Sequence, residues 1–199
     1  LPPLLPVPRS LLKKNPPQVG FTKQSQRQFK IWDPRKLDKY TKKVDIDQAA
    51  GVIIPYYDDD TSVMYLAGKG DGNIRYFECV NHNDKVDCFP LSEYRTSVAA
   101  KGVAFLPKRG CDIMRCETAR ALKLCSQGGM GTVEPLSFIV PRKSEAFQDD
   151  IFPPTFSGKP SMTSDEWLGG APPKAPMLMS LDPNDGGKEV EAKAVVAPA

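Results

Sequence analysis

The chain has 199 residues, 40% hydrophobic and 26% charged, with a net charge of +3. That mix supports a packed core and excludes general disorder. No apolar run approaches the roughly 20 residues that a membrane-spanning helix needs. The charge is unevenly spread. Residues 1–43 hold eleven Lys/Arg (Arg9, Lys13, Lys14, Lys23, Arg27, Lys30, Arg35, Lys36, Lys39, Lys42, Lys43) against Asp33 and Asp38, which leaves the remainder acidic. A front of this kind could meet an acidic partner or an anionic surface, or it is simply a solvated leader. The five cysteines, Cys79, Cys88, Cys111, Cys116 and Cys125, are odd in number and irregularly spaced. Leu1–Pro8 is broken by four prolines and has no charged start. Both features point to free thiols in a reducing, cytoplasmic setting rather than a secreted disulfide scaffold.

In chain order, residues 1–17 are a proline-rich leader expected to stay unpacked. Strand-like segments then alternate with turn residues. Phe29-Lys30-Ile31-Trp32-Asp33 is the first strand end. Gly51–Tyr57 is the next strand, closed by the acidic turn Asp58-Asp59-Asp60. The clearest hairpin follows: Val63–Ala67, the turn Gly68-Lys69-Gly70-Asp71-Gly72-Asn73, and Ile74–Val80. Gly and Asn accept positive φ in such a turn, Asp71 is suited to bond its amides, and the flanks are β-branched and aromatic. Ile74-Arg75-Tyr76-Phe77-Glu78 repeats the texture around Trp32 at a distance of 45 residues, and a third copy is expected to end at Ala121–Cys125. A period of 40–45 residues with several strands per unit marks a β-propeller blade, and Trp32-Asp33 is the WD dipeptide of such repeats. After Pro141 the pattern gives way to an extended segment, with one helical turn at Ser164–Leu168 capped by Thr163 or Ser164. Residues 183–199 are expected to be a disordered tail.

The sequence offers little to catalysis. His82 is the only histidine, so a general base would have to be built on one residue in a loop-like stretch. The cysteines lack zinc-site spacing, and Asp58-Asp59-Asp60 lacks the glycine and distal glutamate of a calcium loop. Gly68–Gly72 precedes a strand rather than a helix, which excludes a P-loop. No catalytic residue, metal site or cofactor is expected, and the chain is not read as an enzyme. The basic pairs Lys108-Arg109 and Arg142-Lys143, each beside a proline, are either a docking surface or ordinary loop charge paired with Glu145, Asp149 and Asp150.

Several motifs together resemble the coronin family. They are Gly20-Phe21 with Ser25, Arg27 and Gln28; Gly68-Lys69-Gly70-Asp71 with Ile74-Arg75-Tyr76-Phe77-Glu78; Pro107-Lys108-Arg109-Gly110 with Cys116-Glu117, Ala119 and Arg120; Val140-Pro141-Arg142-Lys143-Ser144 with Phe147-Gln148-Asp149-Asp150; and Glu166-Trp167-Leu168. They stand in the family's order from about Gln18 to Leu181. The resemblance implies an all-β fold: about two and a half blades of a seven-bladed WD-repeat β-propeller over residues 18–141, then a C-terminal extension over 142–182. It implies a non-catalytic scaffold of the cytoplasmic actin cytoskeleton that binds filamentous actin, with the actin-related-protein nucleating complex as a further partner. Lys108, Arg109, Arg142 and Lys143 become candidate actin-binding residues, and Trp32, Asp33, Gly68, Lys69, Gly70, Asp71, Arg75, Tyr76 and Phe77 become structural. Against the family pattern the chain reads as a fragment of reduced activity. Its blade seams, lined by Ile31, Val52, Ile54, Leu66, Ile74 and Phe105, are expected to lack neighbours. The alternative is a nucleic-acid or anionic-surface binder working through the basic front, for which aromatic interleaving is too sparse; no nucleic acid is expected as a partner.

Overall fold

The computed structural model describes residues 17–82, 85–127, 129–172 and 174–190. These fall into two compact units, residues 17–106 with 119–138 and residues 107–118 with 139–190. The leader before Pro17, the stretch after Val190 and the His82 side chain lie outside this description.

The first unit is built almost entirely of antiparallel sheet. Strands β1 (Pro17–Phe21), β2 (Arg27–Ile31) and β3 (Lys42–Asp47) form a three-stranded sheet in that order. Strands β4 (Ile53–Asp58), β5 (Val63–Gly68), β6 (Asn73–His82) and β7 (Lys85–Arg95) form a four-stranded one. Strands β8 (Ala100–Phe105), β9 (Glu117–Gln127) and β10 (Met130–Ile139) form a third. Every strand pairs with its neighbours in sequence, the meander of successive propeller blades. The fold is therefore all-β, with the blade-like meanders expected of a partial propeller.

The pattern of β5 explains why the middle sheet is the centre. Val63-Met64-Tyr65-Leu66-Ala67 is a continuous apolar run, which suits a strand covered on both faces. Met64 and Leu66 enter one core with Phe29, Ile31, Phe77 and Cys79. Tyr65 and Ala67 point the other way, into a second core with Ile74 and Ala119 that Phe105 and Phe138 flank. Strand β10, in contrast, alternates: Leu136 and Phe138 turn inward while Val133 and Ile139 are exposed. Of the six residues expected at open seams, Ile31, Leu66 and Ile74 are buried by partners inside this chain, whereas Val52 is exposed.

The turn residues behave as their chemistry requires. Gly70 takes a φ of +93°. The turn backbone is tied to both inner strand starts: Lys69 N–H donates to the Val52 carbonyl, and Gly70 N–H donates to that of Ala100 at 2.7 Å. Gly72 is confined for a different reason, since a Cβ there would run into the Thr96 carbonyl oxygen. Gly72→Ala should therefore lower stability by about 1–3 kcal/mol through overpacking. The control Gly20→Ala, at a site with open space, should move the urea midpoint far less.

The WD dipeptide follows β2. The Trp32 indole N–H donates to Gln18 Oε1 at 3.1 Å, and its ring meets Tyr40 edge-on at 6.1 Å. The Arg35 guanidinium, and then its backbone N–H at 2.9 Å, donate to Asp33 and hold its carboxyl down at about 2. The third repeat is out of the expected register. Ala121–Cys125 lies in β9, the second strand counting from β8, which packs on β4 and β5; the position equivalent to β6 is β10. The inserted segment 107–118 is the reason that the 45-residue period does not carry into this sheet.

The second unit is mostly irregular. Its small core is Cys116, Phe152 and Leu181, with Ile113, Val140 and Phe147 against it. Helix α1 (Ser164–Leu168) starts in a capping box, with the Thr163 hydroxyl accepting from Glu166 N–H and the Glu166 carboxylate accepting in return. Strands β11 (Thr155–Phe156), β12 (Leu178–Met179) and β13 (Glu189–Val190) make a short sheet. Of the tail expected over residues 183–199, residues 183–190 carry structure, and 191–199 lie outside the described residues. A 3-10 turn at Pro183–Asp185, capped by the Asp182 carboxylate, reverses the chain and lets β13 pair with β12. The segment 107–118, expected with the propeller, belongs to this unit.

Candidate functional site

The four candidate cations all lie in the second unit, and their environments differ sharply. Pro107 leads into a 3-10 turn at Lys108–Gly110. Lys108 points inward, only 6% exposed, and its ammonium donates to the Thr118 carbonyl. It is thus corrected from a surface charge to a brace across the inserted segment. Arg109 is exposed and lies along the face of Gly158, where φ is +83° and a Cβ would sit 3.0 Å from Nη2. Its guanidinium reaches the Phe156 carbonyl at 3.5 Å, a weak contact that leaves it available. Arg142 donates to Asp150 at 2.6 Å, so the ion pair weighed from sequence is formed. Lys143 is exposed.

The surroundings explain the neighbouring motif. Cys116 sits in the left-handed region at φ 55° and is buried in the small core. Its carbonyl accepts from Val140 N–H at 3.0 Å. Glu117 is buried, and its carboxylate accepts from Asp112 N–H at 2.6 Å. Cys-Glu at this position closes the inserted segment on itself.

A second site, in the strand-rich unit, was not visible as a site from sequence. Arg27, 1% exposed, donates two hydrogen bonds to Asp47, each at 2.6 Å, and one to the Gly51 carbonyl at 3.1 Å. The same guanidinium meets Asp71 at 2.7 Å, so the Asp71 carboxylate goes to Arg27 rather than to the amides of its turn. Arg75 also reaches Asp47, and it lies 3.3 Å from Glu93, which in turn pairs with Arg95 at 2.8 Å. Hydrogen bonds from Arg27, with further ones from Ala49 N–H and Arg75, hold the Asp47 carboxyl far below its ordinary range against the cost of burial. These residues, with Gly72, Asn73 and Thr96, line a cleft of about 710 Å³. Two motifs far apart in sequence thus meet in one place: Arg27 belongs to the element with Ser25 and Gln28, and Asp71 and Arg75 come from the Gly-Lys-Gly-Asp and Ile-Arg-Tyr-Phe-Glu stretch. Because the acids and arginines satisfy each other, the arrangement joins the first two sheets rather than presenting free charge.

A family model described as a type of WD40 repeat matches residues 133–173. Over 162 residues, 80% of this chain and 35% of the relative, the sequence is 46% identical to coronin-A of Dictyostelium discoideum. It is 44% identical to the coronin-like protein crn1 of Schizosaccharomyces pombe, across 91% of this chain and 30% of that protein. The crystal structure of the WD40 domain of Toxoplasma gondii coronin superposes with a TM-score of 0.75 at 38% identity, covering 84% of this chain and 41% of that one. The chain is a coronin-family WD-repeat protein. It spans about a third of the length of the curated coronins it matches.

Within this coronin-family chain, Asp71, Ile74, Arg75, Tyr76 and Phe77 of the Gly-Lys-Gly-Asp and Ile-Arg-Tyr-Phe-Glu stretch make contacts inside the protein. The glycines of that stretch make the turn, Asp71 and Arg75 enter the charge network, and Phe77 packs edge-on against Phe29 at 5.4 Å. Tyr76 joins the aromatic group of the second core. Of the four candidate cations, Arg109, Arg142 and Lys143 are exposed and Lys108 is buried. Among the described residues, no helix is long and apolar enough to cross a membrane.

Proposed function

We propose that this chain serves in a non-catalytic, coronin-type scaffold of the cytoplasmic actin cytoskeleton that binds actin filaments, with Arg109 and Lys143 at the contact and Arg142 beside them. The observation that carries this reading is the sustained identity to coronins across four fifths or more of the chain. The exposure of Arg109 and Lys143 supports their role, because desolvated or paired cations steer an encounter less than free ones do. Lys108 leaves the proposed contact, since its charge is already spent inside the protein. Association with the actin-related-protein nucleating complex belongs to the same proposal.

The basic front gives the nucleic-acid alternative little support. Arg27 is buried between carboxylates, Arg35 pairs with Asp33, Lys42 with Asp87 and Lys43 with Asp45. Four of the eleven cations that suggested an anionic surface are therefore neutralised locally.

Filament co-sedimentation tests the proposal. A chain one third the length of its relatives should sediment more weakly than a full-length coronin. In a full-length coronin carrying this segment, reversing Arg109 and Lys143 to Glu should weaken binding roughly threefold to tenfold and flatten its salt dependence, the scale of exposed charge contacts. Unchanged affinity and salt slope would remove these residues from the contact. A nucleic-acid shift with no sedimentation would favour the alternative.

A further inference from the structure

Cys79 and Cys88 stand directly opposite each other on β6 and β7. Both are free thiols, both are buried, and their sulfurs lie 2.7 Å apart. Their backbone relation matters as much as the sulfur distance. The Cys79 N–H donates at 2.9 Å to Ser62, on the side away from β7. The two residues are therefore a non-hydrogen-bonded antiparallel pair, the closer kind, with Cα atoms about 4.5 Å apart. That falls within the Cα separation of about 4.4–6.8 Å that a disulfide spans. Both side chains enter the core that includes Phe29, Met64 and Phe77, so packing holds them face to face. Of the other cysteines, Cys111 and Cys116 lie in the second unit, and Cys125 donates weakly to the Lys123 carbonyl.

We propose that Cys79 and Cys88 are an oxidation site that closes to a cross-strand disulfide when the protein meets a peroxide. The hydrogen bond with Cys88, and then burial, keep Cys79 in its thiol form. Cys88, slightly exposed where Cys79 is fully enclosed, is the first to react. Its thiolate attacks one peroxide oxygen, the O–O bond breaks, and the second oxygen leaves as water after protonation, giving the sulfenic acid. The Cys79 sulfur then displaces that hydroxyl, the S–S bond forms, and a second water is released. Two thiols are oxidised and one hydrogen peroxide is reduced to two waters. The product pins the outer hairpin of the middle sheet and constrains the unfolded chain.

The experiment treats the full chain with hydrogen peroxide, alkylates remaining thiols after unfolding, and maps tryptic peptides without reduction. Cleavage at Arg75, Lys85 and Arg95 places the two cysteines on separate peptides. The expected result is a single linked species joining them, lighter by two hydrogens than the pair of free peptides and released by dithiothreitol. The melting temperature should rise by a few degrees. In Cys88→Ser the linked species should be absent. Recovery of both cysteines fully alkylated while Cys111 is oxidised would overturn the proposal, as would linkage mainly to other cysteines. The wild-type map decides the matter even if the variant does not fold.

Discussion

Replacing Arg27 with alanine is expected to cost about 3–5 kcal/mol of stability, the usual penalty for removing one partner of a buried ion pair. The guanidinium is enclosed and serves Asp47, Asp71 and the Gly51 carbonyl together. Its loss takes the cation from Asp71 and leaves Asp47 with Arg75 and the Ala49 N–H, and it removes a donor from the Gly51 carbonyl, so desolvation goes uncompensated. Urea unfolding followed by fluorescence measures the loss. Arg95→Ala, at an arginine whose side chain is 81% exposed, should change the midpoint little. Acid provides an independent reading. Asp47 is held below its ordinary value of 3.8 in the folded protein. Its contribution is complete above the unfolded value. As pH falls through that value toward the folded one, the unfolded chain takes up a proton that the folded chain refuses, and stability drains away. The wild type should therefore lose stability steeply below about pH 4, and the Arg27 variant should show a flatter acid limb. Equal midpoints and equal acid limbs would mean that the network contributes nothing net.

Tyr65→Ala is expected to cost a similar 3–5 kcal/mol, the range for emptying a large aromatic from a core. Tyr65 is buried, with Phe138 at 4.8 Å, Phe105 at 5.1 Å, Tyr76 at 5.6 Å and Tyr56 at 6.1 Å between ring centroids. Tyr56 and Phe105 stack nearly parallel at 4.1 Å, so the rings hold one another and have little freedom to refill the space. Leu124→Ala, at a half-exposed position on β9, should stay within about 0.5 kcal/mol. Thermal and urea unfolding would both have to show a small change in Tyr65→Ala for the aromatic hub to be dispensable.

The strands were legible because their signals are local. Alternating or continuous apolar runs bounded by Gly, Asn and Asp give hairpins without knowledge of the rest of the chain, and β5 and β6 lie within a few residues of their expected limits. The coronin motifs were legible as motifs, but their purpose was not. Arg27 and Asp71 are separated by 44 residues and meet only because β2 and the β5–β6 turn come together at the join between two sheets. Nothing in the residue types says which acid an arginine will choose over that distance. Lys108 was misplaced for a similar reason: a lysine beside a proline reads as loop charge, and only the carbonyl of Thr118, ten residues later, draws it inside. The seam residues show the same limit. Ile31, Leu66 and Ile74 are apolar enough for an open face, and it took the packing of consecutive sheets to show that they already have company.

The meander of the sheets has a kinetic consequence. Each strand of the three larger sheets pairs with the strand next to it in sequence, so the loops that must close to build a sheet are short and cheap in entropy. The arginine–carboxylate join spans longer stretches and becomes available once the hairpins on either side exist. Interactions acquired late stabilise the native state more than the folding barrier, so they act chiefly on the rate of escape. In this chain the hairpins are therefore expected to set how fast the sheets appear, and the charged join between them how long they last.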